Sequence, residues 1–343
     1  MAVATKTPAL CNSDLNTVHL ASAARACNRS MLTQAGHHHL APYSHPMVRT
    51  FSLGNIRRGG SLAMAAAVLF GLSTPAAKAI VGNLHPLLLA GLLYLSSGIG
   101  LGIIIALGQR QGVRLKRADL PWLLATIVLG GALGPALLMW GLTQTTGSAA
   151  SLLLTLEGVF TALIAWLVFR EPFNRRIGLG MASIFFGAIL LALQTPSGHA
   201  GALGALAVAG ACLSWALDNN CTSEIADVDA LTLASIKGVV AGAVNVALAV
   251  AGGAIFPSIG VLAASGLIGF FGYGLSLVLF VLALREIGAA RTGAYFSAAP
   301  FIGAVVGLVA LNEPLTLTLA CAGALMALGV YLHLTEQRRE AVA

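Results

Sequence analysis

Three ionisable side chains stand inside long apolar runs of this sequence, Lys78, Glu157 and Lys237, and a fourth, Asp218, stands at the end of one. Glu157 is the sharpest of them, lying near the middle of the apolar stretch 146–169. Burying an ionised carboxylate in hydrocarbon costs several kcal/mol, so Glu157 should be paired, protonated or turned to a wet cavity. A carboxyl titrating near neutrality can load and release a proton, which suits a proton-coupled carrier. The alternative is an acid permanently paired or protonated that ties helices together. Lys78 either snorkels to its nearer interface or faces a cavity, where it would attract an anionic group or Glu157. Lys237 either pairs with Asp218, since consecutive elements usually neighbour each other, or touches a substrate. The run Asp218-Asn219-Asn220 reads as a helix-end cap or as a polar lining near an inner mouth.

Hydroxyl, amide and aromatic groups in the same runs supply the rest of a plausible pocket: Ser73, Thr74, Trp215, Asn245, Tyr273 and Tyr295. Pockets for small organic molecules are mostly apolar with a few convergent polar groups, and this set has that character. Trp140, near the outer end of its run, fits an interfacial belt better than a pocket. Pro75 removes a backbone donor beside Ser73 and Thr74, and helix interruptions often mark binding regions. Chemistry of other kinds finds little support. Gly-x-Gly occurs only inside apolar runs, so no phosphate loop and no ATP drive are expected. No His/Asp/Glu cluster has metal-ligand spacing and no serine or cysteine nucleophile comes with a base, so neither an enzyme nor a cofactor is expected.

The elements that must position these residues follow from composition. Charged residues are 9% of the chain against 57% hydrophobic. An ordinary soluble domain carries roughly a quarter charged residues, so the polar surface such a domain needs is missing. Five scattered cysteines exclude a disulfide scaffold, and the glycines show no three-residue period. A polytopic membrane protein remains. Ten apolar runs are long enough to cross about 30 Å of hydrocarbon as helices: 61–82, 86–108, 120–142, 146–169, 176–194, 202–219, 231–252, 259–283, 289–311 and 316–334. Glycines 98, 100, 102, 178, 180 and 187 are expected to let these helices approach closely. Of the 19 Lys and Arg, 17 lie in the segments that ten spans put on one face, and the five loops on the other face have none. By the positive-inside rule both termini are cytoplasmic. With the basic residues so placed, the net charge of +7 points to membrane orientation and not to nucleic acid.

Residues 1–58 differ from the rest. They carry six basic residues, one acid and five of the eight histidines, including His37, His38 and His39. They read as a disordered cytoplasmic extension, or as sequence ahead of a true start at Met47 or another internal methionine. No apolar run of signal-peptide length occurs there. A short tail, 335–343, follows the last run.

The chain also repeats itself. Shifted by 142 residues, GVFTALIAWLVFREPF (158–173) lies over PFIGAVVGLVALNEPL (300–315), so that Glu171-Pro172 matches Glu313-Pro314 and Gly187 matches Gly329. Each half, 61–194 and 202–334, holds five spans, an odd number, so the second must insert inverted. Charge agrees: Arg170, Arg175 and Arg176 flank the first Glu-Pro turn, and no basic residue flanks the second. Inverted repeats let two halves exchange conformations, the basis of alternating access.

These segments resemble the ends of two EamA domains of the drug/metabolite transporter superfamily, and FGLSTPAAKAI (70–80) and WALDNN (215–220) resemble their openings. The resemblance covers about 61–334. It implies ten helices with both ends cytoplasmic and transport of small metabolites, amino acids or drugs, often proton-coupled. Pro300 stands where the first half has Gly158, and the family more often has proline in both, which leaves the bend of the fourth span open. The expected function is a secondary carrier in the cytoplasmic membrane, with a small-molecule substrate, protons as an optional coupling ion, lipids around it and a homodimer left open. The competing readings are a carrier of phosphorylated or nucleotide-linked sugars, which needs Lys78 and Lys237 on the cavity, a receptor or assembly protein, and a lipid-modifying enzyme.

Overall fold

The computed structural model describes residues 53–82, 84–108, 115–169, 174–193, 199–225 and 228–340. Among these, ten helices are long and apolar enough to cross a membrane: α1 (Arg57–Val81), α2 (Pro86–Leu107), α3 (Arg117–Gln144), α4 (Gly147–Val168), α5 (Arg175–Leu193), α6 (Gly201–Ser223), α7 (Ala230–Ala251), α8 (Ile259–Ile287), α9 (Arg291–Ala310) and α10 (Leu317–Thr335). No strand occurs among the described residues. A helix satisfies its own backbone groups within the segment, which is why apolar runs of this length fold this way in lipid. Side chains such as Phe186, Leu248 and Val309 face outward and exposed, as a hydrocarbon surround requires. The sequence 1–58 and the Glu171-Pro172 turn lie wholly or largely outside the described residues.

The repeat is visible in the irregularities of the helices. α3 and α8 each contain a π-helical stretch, Ile127–Leu133 and Gly269–Leu275, at the same place in the 142-residue repeat. α4 and α9 are each broken near mid-depth. α4 runs as Gly147–Leu153, a turn at Leu154–Thr155, and Leu156–Phe169; α9 as Ala289–Phe296, a turn at Ser297–Ala298, and Ala299–Ala310. Pro300 sits in the first turn of the restarted half of α9, where a missing backbone N–H costs nothing. Gly158 stands at that place in α4, so the fourth span bends without a proline. α1 contains Pro75 but continues as one helix from Leu53 to Val81, so the interruptions fall in α4 and α9 and not beside Ser73 and Thr74.

Packing obeys the same exchange of halves. α2 packs on α7, α5 on α10 and α4 on α9; α3 packs on α6 as α8 packs on α1, and α9 on α1 as α4 on α6. Replacing each helix by its counterpart five places away leaves these pairings unchanged. The α5–α10 crossing shows the reason at atomic scale. A Cβ on Gly180 would come 2.9 Å from the Gly329 carbonyl, and one on Gly187 would come 3.0 Å from the Ala322 carbonyl. Gly187 corresponds to Gly329 and Gly180 to Ala322, so the two contacts are one contact seen twice. Small residues are what permit backbones to approach this closely without a hydrophobic drive between helices. The main core, including Leu93, Leu138, Met139, Leu153, Val208 and Met326, lies among α2, α3, α4, α6 and α10.

Candidate substrate site

The breaks in α4 and α9 meet at a cavity of about 250 Å³. Its wall combines the α4 break, from Leu154 and Thr155 to Glu157, with Phe296, Ser297 and Pro300 at the α9 break, Phe70 of α1, Ile184 of α5, and Val330, His333 and Leu334 of α10. The last three lie toward the C-terminal end of α10, so the cavity runs from mid-depth toward the face that carries the basic loops. On the opposite face the same two helices are joined. Glu313, in the turn after α9, accepts hydrogen bonds from Gly147 N at 2.6 Å and Ser148 N at 2.8 Å with its two carboxylate oxygens. These amides open α4, where unpaired donors and the helix dipole favour an anion.

Glu157 lines the cavity and is half-buried. The α4 break accounts for its position: the helix restarts at Leu156, which sets Glu157 in a first turn inside the membrane. Asn219 of α6 donates from Nδ2 to Glu157 Oε1 at 2.9 Å. Asn219 belongs to a polar stripe, because Trp215, Asp218, Asn219 and Thr222 recur at the spacing of one helix face. Asp218 is 4% exposed and receives Lys237 Nζ on Oδ2 at 2.6 Å, so the α6–α7 ion pair is a direct contact. The Asp-Asn-Asn run is not a cap: α6 continues through it to Ser223, and Asn220 Nδ2 bonds back to the Ala216 carbonyl.

Glycines in and just after the α3 π-helix make room for this stripe. A Cβ on Gly130 would collide with the Asp218 carboxylate, one on Gly131 would lie 2.9 Å from Lys237 Cγ, and one on Gly134 would lie 2.7 Å from Trp215 Nε1. A π-helical turn also frees carbonyls from the regular ladder, and buried carbonyls need donors. Trp215 Nε1 donates to Gly130 O at 3.0 Å, and Asn245 Nδ2 of α7 donates to Ala132 O at 3.1 Å. Trp215 and Asn245 therefore brace α3 beside the site and do not line the cavity.

An aromatic row joins the cavity to the bundle centre. Phe70 lies 5.4 Å from Phe296 and 5.9 Å, edge-on, from Tyr273; Tyr273 lies 5.6 Å from Tyr94; Phe296 lies 4.9 Å from Phe280. The remaining expected residues fall elsewhere. Ser73 is buried, with its hydroxyl on the Phe70 carbonyl at 2.6 Å, and Thr74 is buried beside it. Tyr295 is 39% exposed with its hydroxyl end against Gly60 of α1, outside the cavity, and Trp140 is also exposed. Lys78 reaches neither Glu157 nor the cavity. Its Nζ donates to the Leu142 carbonyl at 2.6 Å on the face that Glu313 joins, because α1 carries it to that end. Phe70, Tyr94, Phe296, His333 and the clasp made by Glu313 were not singled out from sequence. The α4–α9 correspondence in the repeat was the available signal for Phe296, which matches Leu154.

Among the described residues no group of three or more His, Cys, Asp or Glu is placed to hold a metal. The fold, the repeat and the cavity define a membrane transporter of two similar halves, and comparison with known proteins agrees. The EamA-like transporter family matches residues 57–193 and 202–335, and the chain belongs to it. A protein from Methanothermobacter thermautotrophicus described as an "Uncharacterized transporter" is 28% identical over 326 residues, covering 89% of this chain and 95% of that protein. A second "Uncharacterized transporter", from Archaeoglobus fulgidus, is 26% identical, covering 77% of this chain and 94% of that one. The "Uncharacterized transporter YvbV" of Bacillus subtilis is 24% identical, covering 80% and 91%. A solved crystal structure superposes with a TM-score of 0.60 at 19% identity, over 81% of this chain and 97% of that chain, and shows the shared fold alone.

Proposed function

We propose that this protein is a secondary carrier of small organic solutes in the cytoplasmic membrane, working by alternating access between two inverted five-helix halves. The basic loops mark the cytoplasmic face, and the cavity at the α4 and α9 breaks opens toward it. One observation carries the reading: the two broken helices, equivalent in the repeat, are clasped through Glu313 on one face and separated by a cavity on the other. Rocking one half against the other would exchange those two ends, and a solute at mid-depth would pass from one face to the other. Glu157 binds the solute or exchanges a proton with it, because a carboxylate at mid-depth is too costly to keep without such a partner. Neither Lys237, taken by Asp218, nor Lys78, at the far face, lines this cavity, which counts against a sugar-phosphate carrier.

Transport into proteoliposomes, with and without a pH gradient, tests the proposal in wild type and Glu157→Gln. Accumulation that needs the gradient in wild type and loses that dependence in E157Q is expected. No solute flux in wild type above empty liposomes would overturn the carrier, and equal gradient-driven flux in the two would overturn the proton role alone.

A further inference from the structure

We propose, building on the carrier reading, that the cavity selects small organic monocations with a flat apolar body. Charge is the first ground. Glu157 is the one carboxylate among the described lining residues; His333, itself engaged elsewhere, is the other ionisable side chain there, and no Lys or Arg is among them. Asp218 and Lys237, in contact at 2.6 Å with side chains 5% and 19% exposed, form a pair of no net charge. Each helix break presents a C-terminal and an N-terminal end together, so the backbone dipoles oppose one another and leave the sign to Glu157. An anion would meet a like charge, with His333 at the cytoplasmic end of the wall and no permanently charged Lys or Arg to offset it. A zwitterion such as an amino acid would satisfy its ammonium but leave its carboxylate in the same position.

Hydrogen bonding is the second ground. Asn219 engages Oε1 of Glu157. Among the described residues no donor reaches Oε2, so a half-buried charged acceptor stands at the cavity wall with capacity left over. An ammonium, with three donors and no acceptor, is its natural complement.

The aromatic wall is the third. Phe70 and Phe296 both line the cavity, 5.4 Å apart and tilted by 38°. Tyr273, edge-on at 5.9 Å, and Phe280, at 4.9 Å, fix the two rings from behind. Ring faces attract cations and stack on planar groups, and both effects strengthen when water is excluded. A volume of about 250 Å³ lies below the range of about 300–1,000 Å³ usual for drug-sized ligands. The solute is therefore small, of the size of an arylalkylamine.

Calorimetric binding to the purified full-length chain in detergent at neutral pH tests this with phenethylammonium, neutral 2-phenylethanol, zwitterionic phenylalanine and anionic 3-phenylpropionate. Phenethylammonium is expected to bind at least about tenfold tighter than each of the other three, the lower range of one charge-assisted hydrogen bond. Glu157→Gln should remove about tenfold or more of that affinity while changing 2-phenylethanol by less than about twofold. Glu157→Asp keeps the charge and should retain the cation preference, which separates a lost site from a lost fold. Phe70→Leu should weaken phenethylammonium about three- to tenfold.

Absence of phenethylammonium binding by the wild-type chain overturns the proposal. So does tighter binding of phenylalanine or 3-phenylpropionate, or an unchanged affinity in E157Q. If the cation binds selectively but is never moved in proteoliposomes, the site stands and the carrier falls. If proteoliposomes accumulate other solutes and the cation preference is missing, the carrier stands and this selectivity falls.

Discussion

Breaking the Asp218–Lys237 pair should cost far more than removing it. The carboxylate is 4% exposed and its partner's ammonium lies at 2.6 Å, so the carboxylate has almost no water to fall back on and the ammonium, on a side chain 19% exposed, has little. Lys237→Met leaves a buried carboxylate near Glu157, supported among the described residues by the Thr222 hydroxyl at 3.4 Å. Removing one partner of a buried pair costs about 3–5 kcal/mol. For a helical domain of this size that corresponds to on the order of 5–15 °C in the melting temperature. Asp218→Asn should cost a similar amount by stranding the ammonium. The double variant replaces two charges with groups of like volume and should return to within about 1 kcal/mol of wild type, since such pairs gain little net stability over neutral packing. Thermal unfolding of the four purified proteins in one detergent closes the cycle. Penalties that simply add in the double variant, or single variants as stable as wild type, would refute the neutral-pair reasoning. They would also remove the premise that Glu157 alone sets the charge of the site.

Glu313→Ala should open the face that the carboxylate now clasps. It deletes two hydrogen bonds from a charged group, each worth about 1.5–3 kcal/mol, so an impermeant maleimide should label a cysteine at Ser148 at least about tenfold faster in that background. Gly180→Leu should lower stability by about 1–3 kcal/mol or more through overpacking against Gly329, read as a fall in melting temperature, whereas Trp140→Leu on the exposed face should change it little. A cysteine at Asn312 should react with an impermeant reagent from outside the cell. One at Asn174 should react only after permeabilisation, because the positive-inside rule puts it on the cytoplasmic face.

Hydropathy and length alone made the ten helices legible, because an apolar run in lipid has no alternative that satisfies its backbone. Their order in space was partly legible too, since the 142-residue repeat pairs each helix with a counterpart. Lys237 and Asp218 could be expected to meet because they flank one short connection. The site was less readable. Trp215 and Asn245 have the residue types of a pocket, yet their polar atoms are committed to carbonyls of the π-helix, while Ser73 bonds back within its own helix and Thr74 is buried beside it. Tyr295 has the type and the depth but the wrong face.

Composition and periodicity are enough to make the chain ten membrane-crossing helices in two related halves, with a carboxyl stranded at mid-depth in the fourth. Those features depend on local composition and periodicity, which each segment carries within itself. Which groups surround that carboxyl depends on how the helices pack. α4 breaks at Leu154–Thr155, α6 runs one turn further than its composition suggests, and α3 widens into a π-helix that admits Asp218 and Trp215. Each of those deviations is set by contacts between helices distant in sequence, and no local pattern records them.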